Sequence, residues 1–238
     1  MSPIDALARQ LVCAARIIAR NGLASGPFGN LSVRIPGTTE YLQNPAGVFF
    51  EHLTPADVVR LDLEGDPRAG GHQGDFIHRQ ILRRRPDVHA IAHSHCHASV
   101  MLCVLGTPIE PFTQVGAALH EDQGVFHGFS GPVRDFEEGD GIARALGGRG
   151  LVIAKRHGIF AAATSLPRAV WDLILADWAA REHLHALKLG LRAAEPLRPE
   201  DYAKSRSELR DGMYAQIWRN ELAHLARTEP ELVDGVVA

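Results

Sequence analysis

Residues 88–100 read VHAIAHSHCHASV, an apolar run that gives way to histidines at 93, 95 and 97. A short apolar run of small and branched residues reads as a buried strand. Residues two apart on a strand point to the same side, so His93 and His95 present their imidazoles together if the strand geometry continues through them. Neutral imidazole is the commonest metal ligand, and two at i, i+2 form half of a divalent-metal site. A third candidate is His157 in LVIAKRHGIF, where a β-rich run ends in histidine followed by a glycine that lets the backbone turn sharply behind it. HxH taken alone equally describes polar strand ends satisfied by backbone hydrogen bonds. His97 is a weaker candidate for contact with substrate or metal, because the chain turns helical there.

The rest of the chain narrows the setting. A length of 238 residues supports one sizeable core and leaves one or two domains open. Hydrophobic residues at 45% and charged residues at 22% suit a soluble globular protein. A net charge of −3 offers no electrostatic case for nucleic acid or an anionic membrane. No apolar run approaches the roughly 20 residues of a membrane span. MSPIDALARQLVCAARIIARNG is charged throughout and reads as a helix rather than a signal peptide. Cys13, Cys96 and Cys103 are odd in number and lack CxxC spacing, so no disulfide framework is expected. A cytoplasmic protein is the expectation.

No repeat, low-complexity tract or linker interrupts the chain. Apolar positions Ile4, Leu7, Leu11, Ala14, Ile17 and Ile18 fall on one face of a helix over 3–21 that Gly22 stops. Strands are expected over 29–35, 41–42, 48–50, 59–63, 88–93, 151–154 and 158–162. Thr54-Pro55 carries a helix-start signal, a hydroxyl cap followed by proline. Helices are expected over 75–85, 98–105, 138–146, 166–189 and 199–226. Residues 108–138 hold many turn formers and few periodic cues. The mixture is α/β, but the first strand is not followed by GxGxxG and no regular βαβ repeat appears, so one α/β/α domain fits better than a doubly wound nucleotide-binding fold.

Along residues 5–190 the chain carries, in order, GLASGPFGNLSVR, NPAGV, LTPADVVRLDLEG, HRQILRRRPDVHAIAHSH and HGIFAAATSLPRAVWDLILADWAAREHLHAL. By their order and spacing the sequence resembles the class II aldolase/adducin family, the group containing L-fuculose-phosphate aldolase and L-ribulose-phosphate 4-epimerase. The resemblance implies a single three-layer α/β/α domain around a central, mainly antiparallel sheet. That domain would span residues 1–195, with 196–238 a helical extension packed on it. It also implies a homotetramer and one divalent ion per subunit (Zn²⁺, Mn²⁺ or Fe²⁺) held by His93, His95 and His157.

Departures from the family pattern bear on the reaction. The aldolases place Ser-Ser-Glu before the helix whose histidine corresponds to His78, and the Glu acts as acid/base. Here those positions are His72, Gln73 and Gly74. Asp75 follows, but one residue on a helix turns it about 100° away. Of the phosphate-binding positions, Gly29, Asn30 and Gly47 remain, while the family's threonine is Ala46. Three hydroxyls are lost, and a phosphodianion needs several donors or a cation. A tyrosine that helps the aldolases donate a proton falls at Phe112.

Decarboxylation needs no base at position 74, and some relatives are metal-dependent decarboxylases of hydroxylated aromatic or dienoic acids. The expectation is a metal-dependent carbon–carbon lyase, a decarboxylase acting on such an acid through a metal-stabilised enolate or phenolate. The alternatives are an aldolase or epimerase of a small sugar or sugar phosphate, a non-haem iron oxygenase, and a non-catalytic adducin-like domain. His97, with a reference pKa of about 6.5, and His78 are the catalytic candidates. Gly29, Asn30, Gly47, His72 and Gln73 are the substrate-binding candidates, with His72 and Gln73 placed to meet a carboxylate unless they are surface loop. Lys155 and Arg156 pair with an acidic substrate or form a solvated strand end. His120, Glu121, Asp122 and His127 reach a site across a subunit boundary or are loop surface. Tyr202, Tyr214 and Trp218 pack the last helix.

Overall fold

The computed structural model describes residues 1–24, 26–65, 75–128, 133 and 135–236. Its centre is a seven-stranded sheet. In chain order the strands are β1 Gly29–Arg34, β2 Glu40–Gln43, β3 Val59–Asp62, β4 Ala90–Ser94, β5 Gln123–Phe126, β6 Leu151–Ala154 and β7 Gly158–Ala163. They lie side by side as β3-β2-β1-β4-β7-β6-β5. Every neighbouring pair is antiparallel except β5 with β6. The strand expected to end in histidines therefore lies in mid-sheet, hydrogen-bonded on both sides.

Side chains alternate between two buried layers, as the two-residue strand period requires. On β4, Ala90 and Ala92 face one layer and Ile91 the other; on β7, Ile159 and Ala161 oppose Phe160 and Ala162 in the same way. Helices α1 Pro3–Arg20, α3 His97–Leu105, α6 Leu166–Lys188, α8 Tyr214–Leu225 and α9 Pro230–Val233 cover the first face. Helices α2 Asp75–Arg84 and α5 Phe136–Leu146 cover the second through Ile77, Ile81, Ile142 and Leu146. The result is the expected three-layer α/β/α arrangement.

Local chemistry sets the main helix ends. Ser2 and Asp5 form a reciprocal capping box at the start of α1, with Pro3 at the first turn. Gly22, at φ +73, ends it as the Leu23 amide bonds back to the Ile18 carbonyl. Ser165 caps α6, whose Leu173, Ile174, Leu175 and Ala176 are all buried, so this helix is wrapped on several sides. Each such Leu or Ile contributes roughly 1.5–3 kcal/mol by leaving water.

Three expected elements take other forms. Residues 48–50 are not a strand: His52 and Leu53 amides both bond to the Phe49 carbonyl, so the segment closes on itself as a turn, with Phe50 buried beneath β1. The cap signal at Thr54-Pro55 makes a single turn, in which the Asp57 carboxylate accepts from the Thr54 amide at 2.8 Å and its hydroxyl at 2.7 Å. Entry into β3 at Val59 leaves no length for a helix. Residues 199–226 are broken into α7 Pro199–Ser205, a π-helical turn over Arg206–Asp211, and α8. There the Leu209 carbonyl is drawn to the Trp171 indole (2.8 Å), and Arg210 is pulled onto Asp172 (2.8 and 2.9 Å).

The stretch 108–138 contains the five-residue helix α4 Gln114–Ala118, capped by Thr113, then β5 and the start of α5. Trp218, Leu222, Leu225 and Leu232 join the same buried cluster as α1 and α6. The three cysteines are free thiols and buried. Among the described residues no helix is long and apolar enough to cross a membrane.

Candidate metal centre

The register of β1, β4 and β7 places Asn30, His93 and Phe160 directly across from one another, on one face of the sheet. His95 follows just beyond β4, and His157 sits in the three-residue turn joining β6 to β7. The turn is held by Lys155 N–H to the Phe126 carbonyl (2.9 Å) and Arg156 N–H to the Cys103 carbonyl (3.1 Å). The three imidazoles meet there, with ring centroids 4.8 Å (His93–His95), 5.1 Å (His93–His157) and 5.0 Å (His95–His157) apart. One nitrogen from each lies within 4.8 Å of the others. Among the described residues no other group of three or more His, Cys, Asp or Glu side chains converges this way.

His93 carries the strongest argument for a metal. Its Nδ1 lies 2.8 Å from the Ile159 carbonyl, which can only accept, so Nδ1 bears the proton. Its Nε2 is left with a lone pair, buried and without a hydrogen-bond partner. This is how a ligand histidine is oriented by a carbonyl behind it. Burial, and then the neighbouring His95 and His157, hold His93 well below the usual histidine range; burial also lowers His95. Both stay neutral at physiological pH, the form a cation requires. Three imidazole nitrogens brought together in this way suit Zn²⁺ or a related divalent ion.

The neighbours lock this arrangement. Phe160 stacks flat on His93, with centroids 3.8 Å apart and 5° between planes. Gly158, expected to supply the sharp turn, does something else. It is the first residue of β7, and a Cβ there would stand 2.9 Å from His93 Cε1 and 3.1 Å from the Ser94 carbonyl. The left-handed residue of the turn is Arg156, at φ +62. Glycine follows His157 to make room for the His93 ring. Asn44 clamps the start of β1, accepting from the Leu31 amide (2.7 Å) and donating to the Gly29 carbonyl (3.2 Å).

The other candidates disperse. His78 is fully buried on α2, with Nδ1 2.8 Å from the Ser32 hydroxyl and its ring edge-on to Phe160. Phe160 thus lies against both His78 and His93. His97 is exposed at the first turn of α3, two residues past His95. Gly29, at φ +143, tolerates no Cβ because the Phe50 ring and the His93 carbonyl close on it. Gly47 sits in an exposed turn at φ +79. His72, Gln73 and Gly74 lie outside the described residues. Asp75 is buried against the Tyr41 hydroxyl and Arg79 (2.8 Å), so this carboxylate is committed elsewhere.

Lys155 lays its stem over Gly106, and Arg156 is exposed. His120 stacks on Tyr202, Asp122 pairs with Arg210 (2.6 Å), and Glu121 and His127 are exposed. Phe112 packs on His183. Sequence reasoning missed Phe160, Ser32 and Phe28, the last of which stacks on His95. Only the strand register, which periodicity does not carry, marks the first two.

A family model for the class II aldolase and adducin N-terminal domain matches residues 9–184. The chain belongs to this family. It is 31% identical to a 3,4-dihydroxyphthalate decarboxylase of Arthrobacter keyseri, over 91% of this chain and 92% of that one. It is 30% identical to a 4-hydroxy-3-prenylphenylpyruvate oxygenase/4-hydroxy-3-prenylbenzoate synthase of Streptomyces roseochromogenus, over 79% and 69%. Among solved structures, an L-fuculose 1-phosphate aldolase from Glaciozyma antarctica superposes with a TM-score of 0.80 at 26% identity, covering 96% of this chain and 94% of that one.

Proposed function

We propose that this protein is a divalent-metal-dependent carbon–carbon lyase that decarboxylates a hydroxylated aromatic or dienoic carboxylic acid. The observation that carries the reading is a three-imidazole centre with no carboxylate beside it among the described residues: Asp75 is withdrawn into its pair with Arg79 and Tyr41, and residue 74 is glycine. The decarboxylase of A. keyseri, similar over nearly the whole chain, supports it.

A bound divalent ion supplies Lewis acidity toward negative charge developing on a substrate oxygen. His93, His95 and His157 would hold that ion. Decarboxylation breaks the bond to the carboxylate carbon, CO₂ departs, and the electron pair stays with the substrate until one proton reaches carbon. His97 is the side chain assigned to that delivery. It lies two residues beyond a ligand and is exposed, so it can recover its proton from solvent. Asn30 lies directly across from His93 in the strand register and is assigned to a substrate oxygen. His72 and Gln73 are assigned to the substrate's carboxylate.

Aldol cleavage is the second reading, favoured by the retained Gly29-Asn30 at β1 and by the likeness to an L-fuculose 1-phosphate aldolase. Position 74 separates the two. Under the decarboxylase reading, Gly74→Glu suppresses CO₂ release from hydroxy-aromatic acids by filling space or capturing a metal position. Under the aldolase reading it preserves or raises sugar-phosphate cleavage. Measuring both activities on both proteins decides; aldol cleavage alone, increased by the glutamate, would overturn the proposal.

A further inference from the structure

Phe28 is 59% exposed, and its ring lies parallel to His95, with centroids 5.6 Å apart and 10° between planes. Phe49, 42% exposed, leans over the same turn, its ring tip 3.9 Å from where a Cβ on Gly26 would stand. Single exposed apolar residues are ordinary on a protein surface. This one differs in two ways. Its backbone is held between Gly26 (φ +61) and Gly29 (φ +143), and Gly29 is wedged under the Phe50 ring and clamped by Asn44. Its ring also stacks parallel to a histidine of the candidate metal centre. The other two imidazoles stand at 73° and 75° to His95, whereas Phe28 runs parallel to it.

A flat molecule presenting two adjacent oxygens to the histidines would find an aromatic ledge beside them. A puckered polyol held by the same oxygens would place hydroxyls against that apolar face and lose their hydration. We propose that Phe28 is a specificity-determining residue that stacks planar aromatic substrates and disfavours sugars. The inference rests on the lyase reading of the same site and names its substrate class by shape.

The test uses equilibrium binding, so it does not depend on turnover. Metal-loaded wild-type, Phe28→Ala and Phe28→Trp proteins are titrated calorimetrically with 2,3-dihydroxybenzoate, which is planar, and with glycolate, which offers adjacent oxygens without a ring. Phe28→Ala is expected to weaken the aromatic probe roughly tenfold and leave glycolate unaffected, with Phe28→Trp restoring the aromatic probe. Metal content and mass by light scattering should match wild type. Equal weakening of both probes, or of neither, overturns the proposal, as does a change of mass, which would make Phe28 a contact between copies of the chain. If ring selectivity depends on Phe28 but no CO₂ is released, the stacking role stands and the decarboxylase reading falls. If CO₂ is released with no such selectivity, the decarboxylase reading stands and the stacking role falls.

Discussion

His93 shows how one side chain can be specified from three directions. A carbonyl fixes its tautomer, Phe160 fixes its plane, and Gly158 leaves space for its edge. His95→Ala should remove most bound metal, because three protein ligands leave little redundancy; elemental analysis of protein purified without chelator checks this. Gly158→Ala should act on the same centre without touching a ligand. Its Cβ must displace either the imidazole or the Ser94 backbone, an overpacking cost of about 1–3 kcal/mol. The expected result is a folded protein with weakened metal affinity by competition against a chelator; unchanged affinity would show that the ring has somewhere else to go. The pair His93 and His95 was legible because alternation at a strand end is a local rule, and His157 because a β-rich run ends there in His-Gly, in the order of the family motifs. The purpose of Gly158 was not, because the ring it accommodates belongs to another strand.

Helices with a long apolar stripe, α1 and α6, could be bounded within a few residues. The C-terminal elements could not. What interrupts them is a contact some forty residues away: Arg210, 2% exposed, bonds to Asp172 of α6 and to Asp122 just before β5. No periodicity announces that an arginine will be pulled inward. Asp122 likewise reads as loop surface until its partner Arg210 is known. Asp172→Ala would leave the Arg210 guanidinium without its main counter-charge, which costs about 3–5 kcal/mol when a buried pair is broken from one side. For a chain of this size that corresponds to a fall in Tm of roughly 6–20 °C, measurable by calorimetry. Arg210→Met combined with Asp172→Leu should recover much of the loss, since an apolar pair of similar volume needs no counter-charge.

Across the whole molecule, Met101, Val104 and Leu105 form an exposed apolar stripe on α3, the helix that starts two residues beyond His95. Burial of this stripe against a second copy would fit the homotetramer expected from the family resemblance, and light scattering at micromolar concentration should then give a mass near four chains. Met101→Glu with Leu105→Glu should lower that mass; a wild-type monomer would refute the assembly. The three-layer architecture was legible from alternating strands and helices together with the family motifs. The strand order was not, since β4 is flanked by β1 and β7 from distant parts of the chain.

That mid-sheet position has a consequence in time. Amide protons on β4 are bonded to neighbours on both sides, so they should exchange with solvent only through the largest opening motions of the protein. The 155–157 turn lies outside the ladder, a short connection held to neighbouring segments by two backbone hydrogen bonds that can open without parting the central strands. A metal joining His157 to His93 and His95 would tie that turn to the middle of the sheet. Adding a chelator should therefore speed hydrogen exchange through residues 155–158 while leaving residues 90–93 almost unchanged. Equal acceleration in both segments would mean that the ion holds the sheet together, and not only the turn.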